Sequence, residues 1–423
     1  MNYFIGKGLH RSSVVFFIDL LKKRVYDTLQ EVEEKDHSDI FWDDADEQSL
    51  PLAGSFYQKL QDEKDLHWQN VLSDKCRIED KTGRTDHAAT VFYMVNCLQE
   101  FQPDSTDLDK FGRFRFEASY QSAHENIEED LVGKMLLDFS LQNGLKPREK
   151  DTKIFISHDI DTIRGGLLQD GYWALRNFRI KSLFAILLQE LLLRPSWKNM
   201  DRILRIQSEY DLKSTFFWLL EAGKDDLGIP QADYSAKDVA SNQLIIDSKE
   251  GFENGLHKST LKKSISEELE KAPESWVLNR YHFLKFNPYP DWIAVSESPI
   301  RLDASLGFSE HFGFRNSFGE AFVPFDFRSC NYFDFVEVPL TVMDMTFKNY
   351  LKSPVENTAQ MIIEFIEGHS RNCVISLLWH NTFFTDYKFG DYLNVYKEIA
   401  KYVYEKKLIT VTGSELLKEY GRN

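Results

Sequence analysis

From residue 151 onward the chain alternates apolar, strand-like runs with helix-periodic stretches, and this alternation restricts the fold more than any other feature. Lys153 to Ser157 reads as a strand, Met200 to Tyr210 as a helix, Ser214 to Leu220 as a strand, Ser266 to Lys271 as a helix and Phe335 to Val342 as a strand. A helix predicted over Val355 to Glu367, with Gly368 placed to stop it, leads into a strand over Cys373 to Trp379. The last strand, Leu408 to Val411, feeds a helix that Thr412 or Ser414 could cap. Strands separated by helices return to the same end of a sheet and run parallel, so the pattern is α/β, either a barrel or a doubly wound sheet. In both, chemistry belongs at the carboxyl ends of the strands.

At 423 residues the chain is long enough for two domains. Gly144, Pro147 and a run of charged residues between Asn143 and Asp151 mark a boundary, giving residues 1–148 and 149–423. In the first part, Asp86 to Phe101 reads as a helix and Asp36 to Glu47 as an acidic surface stretch without assigned structure. The net charge of -16 disfavours nucleic acid or a polyanionic glycan as the main partner, whereas neutral or amino sugars fit better. Trp379, Tyr281 and Trp292 could line a sugar groove or fill the core.

Cys76, Cys97, Cys330 and Cys373 form no CxxC pair and read as buried thiols in a reducing compartment. The early apolar run Val14 to Ile18 is broken by Asp19 and does not resemble a secretory signal, so the expected location is cytoplasmic. Leu183 to Leu193 is too short to span a bilayer and contains Gln189 and Glu190. It reads as an amphipathic helix packed on the core. Because Arg176, Arg179, Lys181 and Arg194 flank it, peripheral contact with an anionic membrane is the second reading. The sequence does not fix an oligomeric state.

Polar landmarks sit where the strand-end rule places chemistry. Asp159 and Asp161 close the strand that begins at Lys153, and period-two alternation puts them on one face with Ser157. Two carboxylates crowded together need a cation or a shared proton. His257 follows Gly255-Leu256, Arg280 stands in Asn279-Arg280-Tyr281-His282, and His380 ends Leu377-Leu378-Trp379-His380. Each has a plainer reading. The two acids could be strand caps or partners of Arg164, His257 and His380 packed core residues, and His158 a structural hydrogen bonder on the opposite face. Asp303 and Arg315 read as a barrel-stabilising ion pair or loop anchors.

The order of these landmarks resembles the polysaccharide deacetylase family, the NodB-like carbohydrate esterases, in a divergent branch with an extra amino-terminal domain. Further matches are Arg301 to Phe308, Gly313-Phe314-Arg315, Val338 to Asp344, Asp86-His87-Ala88-Ala89 and Gly112-Arg113-Phe114. The resemblance implies a distorted (β/α) barrel with an additional amino-terminal α+β domain. It implies Asp159 as general base, Arg280 as the residue orienting it, His380 as general acid, and Asp161 and His257 as ligands of a divalent metal, expected to be Zn2+. The family's second motif is His-[Ser/Thr]-x-x-His, and here Leu261 replaces its second histidine. His158, His282 or Glu253 could supply the missing donor; no spacing rule selects among them, and His282 is carried forward as the third ligand.

The implied activity is metal-assisted hydrolysis of the N-acetyl group of a saccharide or saccharide precursor in surface polysaccharide metabolism. Two other readings stand beside it. The departure at Leu261 suits a catalytically inactive relative that keeps the barrel as a sugar-binding or scaffold module. Alternatively, Asp159-Ile160-Asp161 could hold a metal and a diphosphate in a glycosyltransferase.

Overall fold

The computed structural model describes residues 1–192, 194–247 and 249–422. Near the amino terminus, β1 (Asn2–Ile5), β2 (Gln30–Glu31) and β3 (Ile40–Trp42) form a small parallel sheet in the order β2-β1-β3. The larger sheet contains β4 (Lys153–Ile160), β5 (Ser214–Leu219), β6 (Phe252–Lys258), β7 (Leu278–Tyr281) and β8 (Leu302–Asp303). A two-stranded ribbon, β9 (Phe325–Asp326) with β10 (Asn331–Tyr332), intervenes before β11 (Val336–Glu337), β12 (Val342–Met343), β13 (Val374–Leu378) and β14 (Ile409–Val411). The strand order is β11-β8-β7-β6-β5-β4-β13-β12, with β14 beside the start of β4, and every pair in this sheet is parallel.

The two edges of that path, β11 and β12, are the ends of one run. The expected strand Phe335 to Val342 is split: its start pairs with β8 and its end with β13. Pro339 between them has no N–H for a ladder. Leu340 N–H donates instead to the Leu306 carbonyl and Thr341 N–H to the Ser376 carbonyl. One segment thereby bridges both edges and closes the sheet into a distorted α/β barrel. The β6 and β7 strands escape a reading by apolar runs because Glu253, Asn254, His257, Asn279 and Arg280 interrupt them. Thr412 caps the last helix, Gly413–Tyr420, by accepting from Glu415 N–H.

The apolar core is continuous from Phe16 and Phe92 in the first 148 residues to Phe325 and Trp379 in the barrel. Phe92 meets Phe325 edge-on at 5.5 Å. Arg315 is paired with Glu100, not with Asp303, and both members of the pair are buried. Asp303 is held by Asn279 and by Ser305 N–H, so of the two readings the structure has separate anchors and not an Asp303–Arg315 ion pair.

Other expectations change in detail. The stretch Asp36 to Glu47 contains β3, which buries Ile40 and Trp42. Trp379, Tyr281 and Trp292 are core residues. Cys330 is exposed, unlike the other three thiols. The helix Val355–Gly368 includes Gly368, and His369 ends it. Of the Leu183 to Leu193 stretch, Leu183 to Leu191 lie in the helix Ile180–Leu191, Leu192 caps it, and Leu193 is outside the described residues. That helix is not packed into the core as expected: among its residues only Ile186 is buried. Among the described residues, no helix is long and apolar enough to cross a membrane.

Candidate metal centre

The parallel register delivers the landmark residues to one rim. Asp159 pairs across to Phe217 in β5, and His257, near the end of β6, lies opposite Leu219 on one side and Arg280 on the other. Asp161 follows β4 directly, His282 follows β7, and His380 stands two residues beyond β13. His282 is followed at once by a turn in which Phe283 (φ 63°) and Leu284 (φ 47°) are consecutive non-glycine residues in the left-handed region.

Three donor atoms converge there. His257 Nε2 lies 3.3 Å from Asp161 Oδ1, His282 Nδ1 lies 3.4 Å from the same oxygen, and the two ring nitrogens are 3.2 Å apart. The opposite nitrogen of each ring faces a backbone carbonyl, His257 Nδ1 the Arg280 carbonyl at 2.9 Å and His282 Nε2 the Pro230 carbonyl at 3.1 Å. A carbonyl can only accept, so each ring in its neutral form gives its N–H backwards and turns a lone pair inward. Two lone pairs and a carboxylate oxygen then face one another, and Asp161 Oδ1 is buried without a hydrogen bond. Acceptors this close repel unless a positive charge sits among them. Asp161, His257 and His282 thus have the composition, spacing and outer hydrogen bonds of a ligand set for a divalent cation.

Asp161 also acts on the surrounding rings as a charge. Burial acts to raise the Asp161 pKa, but His282, His257 and His380 hold it well below the usual carboxylate range. Burial opposes the charged form of His282, and the Asp161 carboxylate outweighs it and raises the pKa. Asp159 is held from the other side by Arg280, whose Nη1 donates to Oδ1 at 3.1 Å and to Ser157 Oγ at 2.7 Å. The Arg280 guanidinium is fully buried over the Phe217 ring at 4.7 Å, and its Nε donates to the Ala304 carbonyl. Asp159 Oδ2 stays on the His257 side, 3.6 Å from Nε2.

His380 closes the site. Its Nδ1–H donates to Asp344 Oδ1 at 2.7 Å, its backbone N–H donates to Oδ2 at 2.6 Å, and Nε2 points towards Asp161 Oδ2 at 3.7 Å. Burial pushes the imidazole pKa down, but Asp344 and then Asp161 overcome this and lift it to about 10. Asp344 therefore favours the protonated form of the ring.

A cavity of about 150 Å³ opens over these groups, lined by Asp159, Asp161, His282 and His380 and walled by Met343 and Tyr350. Arg113, from the first 148 residues, reaches its edge: it stacks on Phe283 at 5.1 Å, donates to the Phe283 carbonyl and to Tyr350 Oη, and is paired with Asp109.

The structure brings together all six expected residues, Asp159, Asp161, His257, Arg280, His282 and His380, across more than two hundred positions of chain. Of the three candidates for the missing donor, only His282 reaches the cluster. His158 lies on the opposite face, its Nδ1 giving a hydrogen bond to the Trp379 carbonyl and its Nε2 meeting Gln207, and burial lowers its pKa to about 4. Glu253 sits at the far end of β6 and accepts from Thr215 and Gly413 N–H. Arg164 is paired with Asp238 rather than with either site acid. Sequence reasoning missed Asp344 and Arg113 as site residues. Asp344 had a usable signal, an acid directly after an apolar strand; Arg113 had none, because its approach depends on how the first 148 residues pack.

No family model matches the sequence, and no curated protein matches it. Among solved structures the chain is similar to a candidate polysaccharide deacetylase from Mycobacterium smegmatis, at 15% identity over 64% of this chain and 90% of that one, with a TM-score of 0.38. It is also similar to a candidate polysaccharide deacetylase involved in O-antigen biosynthesis from Bordetella bronchiseptica, at 14% identity over 64% and 84%, TM-score 0.31. A CE4 family pseudoenzyme from Bacillus anthracis is similar at 13% identity over 64% and 68%, TM-score 0.28.

Proposed function

We propose that this chain is a metal-dependent deacetylase that hydrolyses the N-acetyl group of a saccharide or saccharide precursor. The observation that carries the reading is the inward-facing trio of Asp161 Oδ1, His257 Nε2 and His282 Nδ1, whose donor atoms lie 3.2 to 3.4 Å from one another with the outer ring nitrogens held by backbone carbonyls. These residues would hold a divalent ion, for which Zn2+ suits the Asp/His/His set, and when bound it supplies carbonyl polarisation and acidification of a water. On this reading His282 takes the role of the second motif histidine, whose position Leu261 occupies, and the convergence of His282 with Asp161 and His257 supports an active site over an inactive relative.

The chain's own groups divide the remaining chemistry. Arg280 occupies one oxygen of Asp159 and leaves Oδ2 to accept a proton from water as the new C–O bond forms. His380 carries a proton on Nε2 because Asp344 holds the other side of the ring, and that proton goes to the amine nitrogen as the C–N bond breaks. Asp159 and His380 both line the cavity, so base and acid reach one bound acyl group.

The test is acetate release from N-acetylated saccharides, free, nucleotide-linked and lipid-linked, by the zinc-loaded protein. Asp159→Asn is expected to abolish release while leaving the metal bound, and Asp161→Asn to lose both. Equal metal loss in the two variants would contradict the division of roles.

A further inference from the structure

The two helices that follow β4 carry an apolar surface that the barrel does not use. Gly166–Arg176 and Ile180–Leu191 pack against each other as a hairpin. In the first, Leu168, Tyr172 and Leu175 lie exposed at helical spacing; in the second, Ile180, Phe184, Leu187, Leu188 and Leu191 do. Phe178, at the tip between them, is 87% exposed. Ten of the nineteen large apolar side chains exposed among the described residues fall between Leu168 and Leu192. Isolated exposed apolar residues are ordinary, but a contiguous face of this kind marks a surface that meets something else.

The hairpin is docked to the body, not detached. Ala174 and Ile186 are buried, Ser196 Oγ donates to the buried Asp170, and Tyr387 O–H donates to Gln189 Oε1. Its outward face is therefore presented from a base held to the body.

Charge identifies the occupant. The chain carries a net charge of -16, yet Gly171 to Gln189 contains no acidic residue. Arg176, Arg179 and Lys181 surround the Phe178 tip, Arg194 and Lys198 follow the second helix, and all five are exposed. An apolar face rimmed by cations is complementary to a lipid surface with anionic headgroups, into which the rings and aliphatic chains insert while Lys and Arg remain among the headgroups. A second copy fits poorly, because like-charged rims would meet. At 12 residues the second helix is roughly 18 Å long, suited to lying in the interface and too short to span it.

We propose that this hairpin docks the protein on an anionic membrane surface. The hairpin begins five residues after Asp161, so it leaves the body from the same end of β4 as the metal centre. The docking does not depend on that centre being active.

Flotation of the full chain with phosphatidylcholine vesicles, with and without phosphatidylglycerol, tests this. The wild type is expected to float with the phosphatidylglycerol vesicles, to be released by high salt and to stay behind with phosphatidylcholine alone. Leu168→Ser/Phe178→Ser/Phe184→Ser is expected to lower the bound fraction by roughly tenfold or more, with an unchanged circular dichroism spectrum. Arg176→Glu/Lys181→Glu, which alters exposed residues only, is expected to abolish the preference for the anionic vesicles. A wild type that floats with neither vesicle, or with both equally, would overturn the proposal. So would a wild-type dimer that the serine variant converts to monomer.

Discussion

Two pairs of carboxylates stand in the same barrel and meet opposite fates. Asp159 and Asp161, at the carboxyl end of β4, are faced by Arg280 and by the imidazoles of His257, His282 and His380. Asp303 and Glu337 lie opposite each other in β8 and β11, fully buried. Among the described residues the hydrogen-bond donors to them are neutral, Asn279 and Ser305 N–H on Asp303, Trp292 Nε1 and Leu306 N–H on Glu337, with Arg280 acting on Asp303 only as a weaker charge. Burial raises the pKa of Asp303 to about 6 and that of Glu337 well above its usual range. Asp161 is instead held well below. The neighbours decide which pair gathers positive charge and which retains a proton, and only the first has the geometry for a cation.

The sharpest way to break this comparison is to neutralise the first pair. Asp161→Asn should weaken metal binding by at least roughly a hundredfold and reduce acetate release to background; elemental analysis and an acetate assay check both, and retained metal would remove Asp161 from the ligand set. Asp159→Asn should cost roughly a hundred- to ten-thousandfold in turnover at unchanged metal content. A smaller effect is expected from Asp344→Asn, which takes the counter-charge from His380. Turnover should fall roughly ten- to a hundredfold with metal retained, and an unchanged rate would detach Asp344 from the mechanism.

The second pair should respond in stability rather than in turnover. Its carboxyl pKa values are raised on folding, so between the ordinary carboxylate range and their folded values the folded state binds more protons than the unfolded one. Their contribution to stability is present at low pH and is lost as pH rises through about 6 and above. Glu337→Gln keeps the shape without the charge. It should change stability at pH 6 by no more than about 1 to 2 kcal/mol and flatten the decline towards higher pH, as read from melting temperatures across that range. A decline as steep as that of the wild type would show that the pair does not govern it.

The same contrast explains what the sequence discloses. The β4 strand and its acids are legible because an apolar run ends in two carboxylates, and His380 because Leu377-Leu378-Trp379 precedes it. Parallel α/β organisation follows from alternation alone. Barrel closure does not, because one run, Val336 to Met343, serves two edges around Pro339. His282 is visible as a residue but not as a ligand, since its approach to Asp161 and His257 depends on the pairing of β6 with β7. Asp303 is legible as structural, but its partner is not: Glu337 reaches it only through the pairing of β8 with β11. The exposed hairpin departs furthest from expectation. Helical periodicity reports that a face is apolar and cannot say which side of it the protein occupies.

The central claim is that His282 completes a cation site with Asp161 and His257. Equilibrium dialysis against Zn2+ followed by elemental analysis, on the wild type and His282→Ala, tests it most directly. One ion per chain in the wild type and none in His282→Ala is the expected result. A wild type that takes up no ion, or a His282→Ala variant that still retains a full equivalent, would contradict the account.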